Sequence, residues 1–134
     1  MKLKVSAFLC AVFMLAAVSQ SQATNQASWL GVWQGELDGH PSVVLTLADD
    51  TGDLGGTLVL DIIKKEDGQV HIVALEPHTL LNPRGDSGIL TFQCKRLNGG
   101  MLNISVKHVA ADRATIHCLN CGQDAPTVEM VREK

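Results

Sequence analysis

Aromatic residues are scarce in this 134-residue chain, which has no tyrosine, two tryptophans and three phenylalanines. That scarcity argues against a site that stacks sugars or bases on aromatic platforms. Positive charge is scarce too. Eleven Lys and Arg face 14 Asp and Glu, for a net charge of −3, which excludes a nucleic-acid binder working through a basic surface. Beyond the first twenty residues no uninterrupted apolar run is long enough to span a bilayer. Helix-spaced apolar stripes with capping signals are missing as well. So are G-x-G-x-x-G, G-x-S-x-G, H-x-H and H-E-x-x-H patterns, and no cofactor is expected. What is present is a 46% hydrophobic composition, too apolar and too weakly charged for a disordered chain. The length sets one domain. These features give a fold class and a compartment rather than an activity.

The first residues read as a leader. Lys2 and Lys4 form a positive start, Val5 to Val18 carries no charge, and Ser21-Gln22-Ala23 fits the small-x-small pattern of a signal-peptidase site. The expectation is a signal peptide over 1–23 and a secreted or periplasmic domain over 24–134. Cleavage after Ala23 removes two lysines and no acids, leaving nine basic against 14 acidic residues in the remaining chain. Cys10 leaves with the leader, so Cys94, Cys118 and Cys121 remain, in an oxidising compartment. Cys118-Leu119-Asn120-Cys121 is a C-x-x-C. Haem attachment would need His where Gly122 stands. A thioredoxin-type site would need a helix start, whereas this motif follows a strand-like stretch. A zinc site would need two more ligands, such as Cys94 and a histidine. Packed thiols or a local Cys118–Cys121 disulfide is the plainer expectation.

Turn signals recur about every eight to twelve residues, and the segments between them alternate apolar and polar, the mark of a sandwich or barrel. Strands are predicted at Trp29–Asp38, Ser42–Ala48, Leu54–Lys64, Val70–Leu75, Gly88–Arg96, Met101–Val109, Ala114–Leu119 and Thr127–Arg132. Residues 76–88 contain Pro77, Pro83, Gly85 and Gly88 and are predicted to be the longest connection. Leu80 and Leu81 within it would plug one end of the fold, cover a mouth or meet a partner. Eight short strands joined by tight turns predict an all-β, antiparallel eight-stranded up-and-down barrel, with an open β-sandwich as the alternative.

Gly31-Val32-Trp33-Gln34-Gly35 resembles the G-x-W opening of the calycin superfamily, which includes lipocalins and avidins. The avidin-like comparison extends through the Gly39 turn, Val43–Leu47 and the turn before Gly56-Thr57. The W-x-G-x-L opening and the closing Met130-Val131-Arg132-Glu133 are also similar to a set of small secreted bacterial proteins of no assigned function. The resemblance implies a barrel holding a small ligand, with Gly31 and Trp33 structural and Arg132 packed over Trp33. An avidin-type site uses several tryptophans and a tyrosine, which this chain lacks, and no helix precedes the last strand as it does in secreted lipocalins.

Of the five histidines, His40 and His78 lie beside prolines, His71 and His117 are expected to face solvent, and His108 falls on the apolar face of its strand. No three of them share metal-ligand spacing, and Asp49, Asp50 and Asp53 read as a solvated turn. The interior is expected to be lined by Leu37, Val43, Leu45, Leu47, Leu58, Leu60, Ile62, Leu90, Phe92, Ile104 and Ile116. Trp33, Leu45, Leu60, Phe92, Ile104 and His108 form the candidate ligand site, for a small apolar or amphipathic ligand. Two other readings stand beside it: a side-chain-filled barrel used as a protein-interaction module, and an enzyme of calycin type with unknown chemistry. Neither a nucleic-acid partner nor an integral membrane segment after leader removal is expected.

Overall fold

The computed structural model describes residues 27–86 and 88–134, so the expected leader over 1–23 lies outside the described residues. Among the described residues nine antiparallel strands form a single sheet: β1 (Gly31–Leu37), β2 (His40–Asp50), β3 (Asp53–Glu66), β4 (Gln69–Thr79), β5 (Leu81–Asp86), β6 (Ile89–Lys95), β7 (Met101–Ala110), β8 (Arg113–Cys118) and β9 (Thr127–Arg132). Their order across the sheet is β4-β3-β2-β1-β9-β8-β7-β6-β5. Tight turns with left-handed residues, Asp38-Gly39, Thr51-Gly52 and Asp67-Gly68, join the first four strands.

Two expectations need correction. Residues 76–88 are mostly strand, not connection: Pro77 lies in β4 and Pro83 in β5. These are the two end strands of the sheet, where a missing N–H can face away from the ladder. Nor does a closed barrel of eight strands form. The chain pairs with β3 up to Thr79, passes Leu80, and pairs with β6 from Leu81. Asn82 then takes a left-handed φ of 51° where the β5–β6 register shifts. One wall is therefore made of the end of β4 and the short β5 in succession, and no ladder joins β4 to β5 among the described residues.

Because β4 and β5 are consecutive in the chain yet at opposite ends of the sheet, the sheet must curl until its ends meet at Leu80. Two bonds hold the meeting point. The Leu80 N–H donates to the Gly56 carbonyl (3.1 Å), and His78 Nδ1 lies 3.0 Å from the Lys95 carbonyl oxygen. His78, expected in a loop, is thus buried, with Nε2 2.8 Å from Glu76 Oε1.

Period-two alternation fills the concave side. Val43, Leu45 and Leu47 of β2, Leu90, Phe92 and Cys94 of β6, and Leu102, Ile104 and Val106 of β7 are buried in one cluster with Trp29, Trp33 and Met130. Leu37 and Leu60 are half-buried at its margin. Leu80 is buried and Leu81 only half-buried, so Leu80 alone closes off the core at the junction.

The alternation does not tell where the body ends. β3 and β4 run on together past it as a hairpin arm, with Asp61 opposite Leu75, Ile62 opposite Ala74 and Lys65 opposite Val70. Leu58 is fully covered, but Ile62, expected inside, is 40% exposed. A register shift between Ile62 and Ile63 leaves Val73 as an extra residue in β4.

Candidate functional site

One end of the cluster is built from segments far apart in sequence. Ala27 to Trp29 turn back before β1, and the Leu30 N–H donates to the Ala27 carbonyl. This turn buries Trp29 completely instead of placing it in the first strand. Trp29 stacks on His108 of β7, with centroids 3.7 Å apart and planes at 23°. Its Nε1 donates to the Asp86 carbonyl at 3.4 Å. Gly85 leaves the room for this ring, since a Cβ there would sit 3.1 Å from the Trp29 ring.

Trp33 lies beneath, fully buried on β1, and its Nε1 donates to the Trp29 carbonyl at 2.9 Å. His108 meets it edge-on at 5.6 Å. Above Trp33 is Arg132 of β9, with Cζ 4.4 Å from the ring centroid. Its aliphatic stem packs on Gly31, whose φ of +124° is one that L side chains rarely adopt. The Arg132 guanidinium donates to the Ser28 carbonyl and, at 3.2 Å, to the Ala111 carbonyl. Three segments are thereby fastened over one indole.

The six expected ligand residues do not all line one space: Phe92 and Ile104 border the same groove along β5–β7, and the other four do not reach it. Trp33, Leu45, Phe92 and Ile104 are buried members of the packed cluster, Leu60 borders it, and His108 stands half-buried at its end against Trp29. The sequence reading missed Trp29 as His108's partner, because a stack between a turn and a distant strand leaves no local periodicity.

Burial holds the His108 imidazole below its ordinary value of 6.5; a backbone hydrogen bond at Ala110 opposes this, and the Arg132 charge adds to it. The unfolded chain therefore binds the proton more readily than the folded one. Stability from this group is full above the ordinary value and is lost as pH falls through it toward the lowered one. Denaturation midpoints at pH 7.5 and pH 5 should drop further in the parent than in His108→Phe, which keeps a ring against Trp29. Equal drops would remove His108 from the account.

Cys118 and Cys121 form a disulfide with Cα atoms 5.5 Å apart. Cys94 is a free buried thiol, its pKa raised by burial to about 11. Such a thiol is neither a ready nucleophile nor a ready metal ligand. No group of three or more His, Cys, Asp or Glu close enough to hold a metal ion occurs among the described residues. No described helix is long and apolar enough to cross a membrane.

Grooves lie on the convex side, two of them large. One of about 680 Å³ crosses β1, β2 and β9 beside Glu36, Val44, Glu129 and Val131. The other, about 580 Å³, lies along β5–β7. Its amides form a relay, Asn82 donating to Gln93 (3.2 Å) and Gln93 to Asn103 (3.0 Å). The largest run of exposed apolar side chains is elsewhere, on the arm: Ile62, Ile72, Val73 and Leu75, the last 65% exposed. No family model, curated protein or solved structure matches the chain.

Proposed function

We propose that this protein is a secreted or periplasmic protein-interaction module, with the β3–β4 arm as its contact surface. The observation that carries the reading is the arm itself. Ile72, Val73 and Leu75 of β4 stand in solvent on one projecting hairpin, with Ile62 of β3 exposed on the face opposite Leu75, while the concave side of the sheet is occupied by packed side chains. Apolar groups gathered this way on an otherwise soluble surface mark contact sites. A small apolar ligand would have to displace core residues such as Leu45 and Phe92, which are already covered by their neighbours. Kinship with calycins belongs to the same proposal, supported by Arg132 over Trp33.

The test is a photo-crosslinking residue placed at Leu75, and in a control at Thr115 of β8, in cells that make the protein. Adducts are expected from Leu75 and not from Thr115. Equal yields from the two sites, or none from Leu75, would overturn the reading.

A further inference from the structure

We infer that a second copy of this chain pairs antiparallel along the β4 edge of the arm, about a two-fold axis near Ile72. The inference rests on the reading of the arm as a contact surface and names its partner.

β4 is an end strand, so over Gln69–Leu75 it has β3 on one side and no strand on the other among the described residues. That leaves a row of backbone N–H and C=O groups about 24 Å long, at roughly 3.4 Å per residue. Such edges are usually guarded by Lys, Asp, Glu or Pro. Gln69-Val70-His71-Ile72-Val73-Ala74-Leu75 contains none of these, and the first proline is Pro77. An antiparallel strand edge is complementary to itself, and a two-fold axis sets each patch against its own copy. A charge near that axis would meet its like, and this segment carries no carboxylate, ammonium or guanidinium. About that axis Ile72, half exposed, would meet Ile72 of the second copy with Val73 beside it, while Leu75 would lie opposite Gln69.

The charges beyond the segment also match. The arm ends in the turn after Glu66, whose carboxylate is already paired with Lys64 at 2.6 Å, so Asp67 is the carboxylate left to meet a partner. At its base β4 is flanked by the end of β6: Leu81 pairs with Gln93, and His78 reaches the Lys95 carbonyl. Lys95 and Arg96 therefore stand where the free edge stops, and Lys95 is exposed. Antiparallel pairing near Ile72 sets Asp67 of each copy beside Pro77 of the other, close to its Lys95-Arg96 step; the carboxylate there, Glu76, is already held by His78 at 2.8 Å. A two-fold arrangement makes this contact twice. The Val73 bulge lies beside the axis, so the rungs fall on either side of it.

The test is sedimentation equilibrium on the purified protein from about 1 to 500 μM at 0.15 M salt. A mass of two chains that dissociates on dilution is expected. Ile72→Lys, at an exposed position, should leave one chain at every concentration. Asp67→Lys or Lys95→Asp alone should weaken association about tenfold or more, and the two together should restore it. A single-chain mass at 500 μM, association unchanged by Ile72→Lys, or failure of the double variant to recover would each overturn the pairing. Adducts from Leu75 to a different protein, with a single-chain mass throughout, would overturn self-pairing and leave the contact-surface reading standing.

Discussion

Replacing Gly56 with alanine is expected to remove about 4 kcal/mol or more, a large part of the stability of a domain of this size. A Cβ at Gly56 would sit 1.8 Å from the Thr46 carbonyl oxygen, 2.9 Å from the Thr46 carbonyl carbon and 3.2 Å from the Leu47 Cα. Every obstacle is backbone, so no side chain can rotate away. The φ of +157° is itself one that L side chains rarely adopt. Relief would require β2 and β3 to separate where Thr46 pairs with Thr57 and Leu47 with Gly56. That movement also displaces the Gly56 carbonyl from the Leu80 N–H, one of the two bonds that hold the ends of the sheet together. The adjacent Gly55 has open space at its Cβ position, so Gly55→Ala should stay within about 0.5 kcal/mol of the parent. Urea denaturation of the pair is the measurement. If Gly56→Ala lies within about 1 kcal/mol of the parent, the close approach does not constrain the fold.

Gly56 also shows how far the sequence could be read. Its position in a Gly-Gly pair before an alternating strand marks an irregular strand start, but only the register with β2 makes it irreplaceable. The strands over Val43–Leu47, Ile89–Lys95 and Met101–Ala110 were legible because each buries one face and is bounded by turn residues. The junction at Leu80 was not. Pro77, Pro83 and Gly85 read as breakers in isolation, and are harmless here because β4 and β5 occupy the ends of the sheet. Nothing local assigns a strand to an end. The arm was hidden by the same limitation: Ile62 continues the alternation of Leu58 and Leu60, and only the tertiary packing determines that its face has already left the body. At the Trp29–His108 stack, local reading placed Trp29 in the first strand because a tryptophan two residues before a G-x-W looks like a strand residue. Its burial depends on Gly85 and His108, which the chain supplies much later.

Trp33→Ala is expected to lower stability by about 4 kcal/mol, the usual range for truncating a fully buried large aromatic ring. The loss has more than one source. The indole fills the space below Trp29 and His108, at 6.2 and 5.6 Å between centroids, and its N–H satisfies the Trp29 carbonyl. It also supports the Arg132 guanidinium, which in turn ties down the carbonyls of Ser28 and Ala111. Arg132→Leu keeps an aliphatic stem against Gly31 but gives up the cation–π contact and both hydrogen bonds, for about 1–3 kcal/mol. The two changes should not add. Once the ring is gone the guanidinium has lost its platform, so Arg132→Leu should cost less in the Trp33→Ala background by about 0.5–2 kcal/mol. Trp33→Phe, which keeps an aromatic face but not the N–H donor, should fall between the parent and Trp33→Ala. A double-mutant cycle by chemical denaturation measures the coupling. Additivity within about 0.3 kcal/mol would mean that Arg132 fastens the three segments through its hydrogen bonds alone, and that the ring beneath it contributes only its volume.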